Sequence, residues 1–151
     1  MKEKIAVIVG SKSDLPVIKP GLDLCQELGI GYTLEVISAH RHPDKLRNFC
    51  KKQEKNGVEV IIACAGMAAA LPGFVASYVD IPVIGVALSG GLLDGLDALL
   101  SIVSTPAGMG LVCSGLGKSA FINAIIFSME IVAVKDHKAK PLLLELKKKF
   151  R

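Results

Sequence analysis

Three short stretches of this 151-residue chain gather residue types that hold anions and move protons. In Gly10-Ser11-Lys12-Ser13-Asp14, a glycine, two hydroxyls and a helix start would aim backbone N–H groups and a positive dipole end at an anion such as phosphate. The Asp14 carboxylate would instead suit the hydroxyls of a ribose. Ser13 or Asp14 also suits a helix cap, and this loop alone does not choose between the readings. In the second stretch Ser38, His40 and Arg41 fall within four residues. A hydroxyl and a guanidinium are natural phosphate ligands, and an imidazole both gives and takes a proton near neutrality. His42 and His137 read as surface residues. The third stretch, Ala65-Gly66-Met67-Ala68-Ala69-Ala70-Leu71-Pro72-Gly73, has no ionisable side chain. It offers backbone amides and an apolar wall, suited to a flat heterocycle or a non-polar gas, or simply to helix packing.

These stretches need a scaffold that brings them together, and the hydrophobic pattern supplies one. Apolar runs at Ile5–Val9, Tyr32–Ile37, Val58–Cys64, Val83–Val86 and Gly110–Cys113 predict strands. Between them, helical spacing predicts a helix that starts after Ile18 or is kinked at Pro20. Further helices are predicted from Pro43 to a stop at Gly57, over Ala68–Val79 around an awkward Pro72, over Gly95–Val103 and over Ser119–Val134. Strands alternating with helices at this spacing predict a doubly wound α/β domain with a parallel sheet. In such folds ligands sit at the carboxyl ends of the strands, which is where all three stretches fall. Residues 1–134 read as a single α/β domain and 135–151 as a basic C-terminal helix or tail.

Composition excludes several classes. At 51% hydrophobic and 21% charged, the chain is no disordered segment. Two 20-residue stretches, 60–79 and 98–117, carry no charge, but the first is broken by Gly66, Pro72 and Gly73 and the second by Pro106 and four glycines. They read as strand, loop and helix rather than as membrane spans. The apolar run of five residues near the start is shorter than a signal peptide requires. Cys25, Cys50, Cys64 and Cys113 form no C-x-x-C pair, which predicts neither disulfides nor a metal site and suggests a reducing cytoplasm. Residues 135–151 hold seven Lys/Arg against two Asp/Glu, so the net +4 belongs to the tail and gives no nucleic-acid footprint on the body. Gly117-Lys118-Ser119 lacks the earlier glycine of a phosphate loop, because Val112 stands there. Residues 60–134 contain only Asp80, Asp94, Asp97, Lys118 and Glu130 as charges, which predicts burial of that half in a homo-oligomer larger than a dimer.

The stretches GSKSDLPV, SAHRHPDKL, AGMAAALPG, PVIGV, LDGLDALLSIV and TPAG resemble, from Ile5 to about Cys113, the enzymes of purine synthesis that place a carboxylate on aminoimidazole ribonucleotide. This is the family of N5-carboxyaminoimidazole ribonucleotide mutases and aminoimidazole ribonucleotide carboxylases. The resemblance implies a flavodoxin-like, three-layer subunit in an octamer, a ribonucleotide-binding role for residues 1–134, and no metal or organic cofactor. It implies that Ser11, Ser13, Ser38 and Arg41 hold the phosphate and Asp14 the ribose. Gly10 and the loop of Ala65, Gly66, Met67 and Leu71 complete the substrate site around the imidazole, and His40 transfers the proton. Carbon dioxide would leave the N-carboxy group, stay in a dry pocket and be attacked by the electron-rich ring carbon.

The chain departs from the mutase pattern where AGGAAHLPG has its second histidine, here Ala70, and where Met67 replaces glycine. Ala87 and Ser104-Thr105 also replace the family's Pro and Gln-Met. The carbon dioxide-using animal-type branch lacks that histidine too, but its AGRSN and SAHK are not present. A third relative, the carboxylase that begins nickel-pincer nucleotide synthesis, shares AGM-x-x-ALP but has an extra amino-terminal region, and a cysteine where this chain has Pro106. Three readings follow: a mutase, a direct carboxylase of aminoimidazole ribonucleotide or a related nucleotide, and a ribonucleotide-binding paralogue without catalysis.

Overall fold

The structure, a computed structural model that describes residues 3–151, contains five strands and six α-helices. In chain order these are β1 (Ile5–Val9), α1 (Leu15–Leu28), β2 (Tyr32–Val36), α2 (Pro43–Lys55), β3 (Val60–Gly66) and α3 (Leu71–Tyr78). They continue with β4 (Val83–Leu88), α4 (Leu96–Val103), β5 (Leu111–Leu116), α5 (Gly117–Lys135) and α6 (Ala139–Lys148). A single 3-10 turn, Lys12–Asp14, joins β1 to α1. The sheet is wholly parallel in the order β2-β1-β3-β4-β5, the flavodoxin-like arrangement expected above.

Alternation along the strands builds two cores. Val7, Val9, Ile62, Cys64, Ile84 and Val86 face α1, α5 and α6. Ala6, Ile8, Ile61, Ala63, Val83 and Ala87 face α2, α3 and α4. The central strands are therefore buried on both faces, which is why they read as continuous apolar runs.

Several boundaries differ from the sequence reading, each for a physical reason. Helix α3 begins at Leu71 rather than Ala68, so Pro72 falls in the first turn, where a missing N–H breaks no helical bond. Helix α1 starts before Ile18 and runs through Pro20; both Pro20 and Pro16, whose carbonyl loses its helical donor, are exposed to water. Strand β3 is shifted to Val60–Gly66, and β4 continues to Leu88 because its later residues pair with Ala65 and Gly66. Strand β5 runs on through Ser114 and Gly115, past an irregularity in its pairing with β4; an edge strand needs no unbroken apolar run. Strand β2 stops one residue early at Val36, helix α4 starts one residue late at Leu96, and α5 extends to Gly117–Lys135.

The last residues dock rather than trail. Ala139, Leu143 and Leu146 of α6 join the core shared with α1 and α5, while Lys147 pairs with Glu130 and Lys149 with Glu27. Helix α5 is long and apolar enough to cross a membrane by length and composition alone. Its inner face of Ala120, Phe121, Ala124, Ile125, Met129 and Val132 is nonetheless packed into the sheet core.

Gly21 lets α1 close on α5, because a Cβ there would stand 2.5 Å from the ring of the fully buried Phe121. Gly21→Ala should therefore lower stability by about 1–3 kcal/mol despite a helix-propensity gain of about 1 kcal/mol. Chemical denaturation would measure this, and adding Phe121→Leu should cost less than the two single losses combined.

Candidate functional site

Strand order reverses between β1 and β3, and the loops leaving their carboxyl ends diverge around a crevice. The first loop is held by reciprocal bonds. Ser11, in extended conformation, accepts the Ser13 N–H at 3.3 Å, and the Asp14 carboxylate accepts the Ser11 N–H at 3.1 Å. Capping is thus done by Ser11 on the 3-10 turn with Asp14 in return, and Asp14 makes no side-chain bond to α1. The Ser13 hydroxyl lies 2.9 Å from that of Ser11. The loop's amides and hydroxyls are therefore set by local bonds before any ligand arrives.

The second loop turns on Ser38. Its carbonyl accepts the His42 N–H at 2.9 Å and its hydroxyl oxygen accepts the Arg41 N–H at 3.3 Å. What Ser38 retains is its O–H, a donor suited to a phosphate oxygen. His40 and Arg41 are exposed at the tip, and among the described residues no carboxylate lies within ion-pair distance of the Arg41 guanidinium. His42, by contrast, stands before α2 as its N-cap residue.

The third loop leaves β3 beside the first, where the Gly10 N–H donates to the Cys64 carbonyl at 3.3 Å. Gly66 ends β3 paired with Leu88 of β4, and a Cβ there would meet the Leu88 carbonyl oxygen at 3.4 Å, an ordinary contact. Next to it Met67 adopts a left-handed φ of 51°, a conformation that costs a non-glycine residue about 1 kcal/mol. Ala70 precedes α3, where no side chain caps the helix.

Gly10, Ser11, Ser13, Asp14, Ser38, His40, Arg41, Ala65, Gly66, Met67 and Leu71 all line one cavity of about 440 Å³, a volume that suits a small organic ligand. The sequence reading missed a fourth wall, Ser89-Gly90-Gly91 after β4, whose signal was a Ser-Gly-Gly directly following an apolar strand. The first two loops give the cavity its polar lining, and Ala65, Ala68, Ala69, Ala70 and Leu71 give it an apolar one. Among the described residues no cluster of His, Cys, Asp and Glu could hold a metal ion.

The sequence model of the family described as AIR carboxylase matches residues 4–151. The chain belongs to this family. It is 42% identical over 151 residues to the N5-carboxyaminoimidazole ribonucleotide mutase of Pseudomonas aeruginosa, covering all of this chain and 90% of that one. With the mutase of Thermotoga maritima it shares 40% over 148 residues, covering 98% and 85%. A crystal structure of Treponema denticola PurE has the same fold, with a TM-score of 0.83 at 21% identity over 96% of this chain and 89% of that one.

In this AIR carboxylase family member the site's acid is perturbed. Partial burial pushes the Asp14 carboxyl above the ordinary carboxylate range, and the Ser11 N–H offsets only part of that rise. Beneath it the Cys64 thiol is pushed far up, by complete burial first and by the Asp14 charge second. Burial likewise raises Cys25 to about 12 and Cys50 to about 11, so none of these three thiols is a nucleophile. A carboxyl with a raised folded-state pKa stabilises the fold below its unfolded value, and this contribution is lost as pH rises through the folded one. Asp14→Asn keeps an oxygen acceptor for the Ser11 N–H. It should therefore raise the thermal midpoint of the free protein at neutral pH, and the gain should vanish below the ordinary carboxylate range in a melting series against pH.

Proposed function

We propose that the chain is an N5-carboxyaminoimidazole ribonucleotide mutase, moving the carboxylate from the exocyclic nitrogen of the ribonucleotide to its ring carbon. The observation that carries this reading is the mixed lining of one cavity: hydroxyls, an exposed guanidinium and an imidazole from the first two loops, and an uncharged, alanine-rich wall from the third. The names of the curated relatives support the same substrate. Ser11, Ser13, Ser38 and Arg41 hold the phosphate, Asp14 accepts the ribose hydroxyls, and the Gly66 loop covers the imidazole. Residues 1–134 supply the whole site, and 135–151 serve as an appended helix.

The chemistry closes without a second titrating side chain at Ala70. The N–C bond of the carbamate breaks, the freed amine takes a proton, and neutral carbon dioxide enters the apolar end. The ring carbon then attacks it, a C–C bond forms, and that carbon loses its proton. One proton is consumed and one released, so a single imidazole, His40, can supply the first and remove the second. Holding the carbon dioxide beside the ring makes its recapture a unimolecular step.

Purified protein offered the carbamate without bicarbonate should form the C-carboxylated product. Product formed only from aminoimidazole ribonucleotide and bicarbonate would mark a direct carboxylase instead, and binding without turnover a non-catalytic paralogue. His40→Asn should abolish turnover while calorimetry still detects the ribonucleotide. Arg41→Ala should weaken that binding by about 10- to 100-fold, the range for a charge-assisted contact to phosphate.

The working form is a homo-oligomer, with the family's octamer as the expected size. Leu92, Leu93, Leu96, Leu100, Val103, Val112 and Leu116 are exposed along the β4–α4 loop, α4 and β5, a stretch too apolar for a free surface. Light scattering should find a particle larger than a dimer, and Leu100→Glu should shift it toward smaller species; a monodisperse single chain would sink this part of the reading.

A further inference from the structure

Met67 holds a left-handed φ of 51°, yet its side chain is 62% exposed, so packing within the chain does not offset the strain. The side chain lies beside one glycine of the fourth loop. Its Cγ lies 3.2 Å, and its sulfur 3.9 Å, from the position a Cβ on Gly91 would occupy. Gly91 itself sits at a φ of 68°, where a side chain would be strained, and a Cβ there would press on the Met67 Cγ. Met67 thus reaches from the loop after β3 to the loop after β4, across the wall of the same cavity that Gly66, Ala68, Ala69 and Ala70 line. A long, unbranched, polarizable side chain suits an adaptable apolar stopper. Glycine at this position would relieve the strain and remove the span.

We propose that Met67 is a specificity-determining residue that bridges the third and fourth loops through its contact with Gly91 and seals the apolar end of the cavity, confining the carbon dioxide released there. This rests on the mutase reading. Confinement decides which carbon enters the product: a sealed pocket returns the substrate's own carbon, and an open one admits carbon dioxide from solution in exchange.

The test is a single-turnover reaction of unlabelled carbamate with excess enzyme in carbon-13 bicarbonate and carbonic anhydrase, with the product's label read by mass spectrometry. The wild type should incorporate little label. Met67→Gly should raise incorporation at least about fivefold, as expected when a site no longer excludes competing exchange. Its melting temperature should be no lower than that of the wild type, and its size by light scattering should be unchanged. Met67→Leu, which keeps an apolar span, should stay near wild type. Incorporation in Met67→Gly no higher than in the wild type, heavy labelling of the wild type itself, or a change of assembly state in place of exchange would each overturn the sealing role alone. A wild type that makes no product from the carbamate would overturn the mutase reading and this inference with it.

Discussion

The site depends on one pairing, that of β1 with β3. Five successive residue pairs, from Ile5 with Val60 to Val9 with Cys64, set the two strands parallel and level. The Gly10 N–H then extends the ladder by one bond to the Cys64 carbonyl. Because β2 continues from the other edge of β1, the chain leaves β1 and β3 toward opposite faces of the sheet, and the space between the departing loops is the cavity. A slip of one residue in this register would turn every side chain of a strand to the other face and move its loop by about 3.3 Å along the sheet. Ser11 and Asp14 would then no longer share one cavity with Gly66. The precision of the site is thus inherited from a buried, apolar ladder that carries no functional group.

On that scaffold the two ends of the cavity differ by a division of labour between side chain and backbone. The polar loops spend their hydrogen-bonding capacity locally, as Ser11 with Asp14 and Ser38 with Arg41 and His42, and leave outward only the groups that would meet a ligand. Rotamers fixed in advance lower the entropy lost on binding. The alanine-lined end does the opposite: it offers shape without charge, which favours a neutral gas over its hydrated anion. An alanine at position 70 fits that end if, as proposed, a single imidazole both supplies the proton consumed and removes the one released. The raised pKa of Asp14 fits the proposed role, since a half-buried carboxylate would gain more from hydroxyl donors of a ligand than a fully solvated one.

What could be read from the chain beforehand follows from where each signal was local. Each of Ser11, Asp14, Ser38, His40 and Arg41 lies within a few residues of a strand end, so motif and element were visible together and their convergence followed from the fold. The misplacements were tertiary. Pro72 looks like a helix interior residue until the start of α3 is known, and Pro20 is tolerated only because water reaches the carbonyl of Pro16. The second half of strand β5 hides because an edge strand, half covered, admits Ser114 and Gly115. Ser89-Gly90-Gly91 carries no chemistry of its own and joins the site only through the pairing of β4 with β3, which no window of sequence contains. Residues 135–151 read as a solvated basic helix or tail by charge, yet Leu143 and Leu146 of α6 are buried in the core shared with α1 and α5.

The scarcity of charge in residues 60–134 has two physical origins that the sequence does not separate. Strands β3 and β4 are charge-free because both their faces lie inside one subunit, and the inner face of α5 is apolar for the same reason. Those residues need no partner. The remainder is different in kind: Leu92 is fully exposed, and Leu96, Leu100 and Val103 recur at helical spacing along the outer side of α4, beside Val112 and Leu116 on the open edge strand. An apolar helix face next to an unpaired sheet edge is a combination that isolated subunits avoid, because it invites non-specific association. Only this second set argues for assembly, and it begins directly after Gly91. The loop that carries Met67's contact is therefore continuous with the surface that an oligomer would cover, so assembly and the shape of the apolar end are set by one segment of the chain.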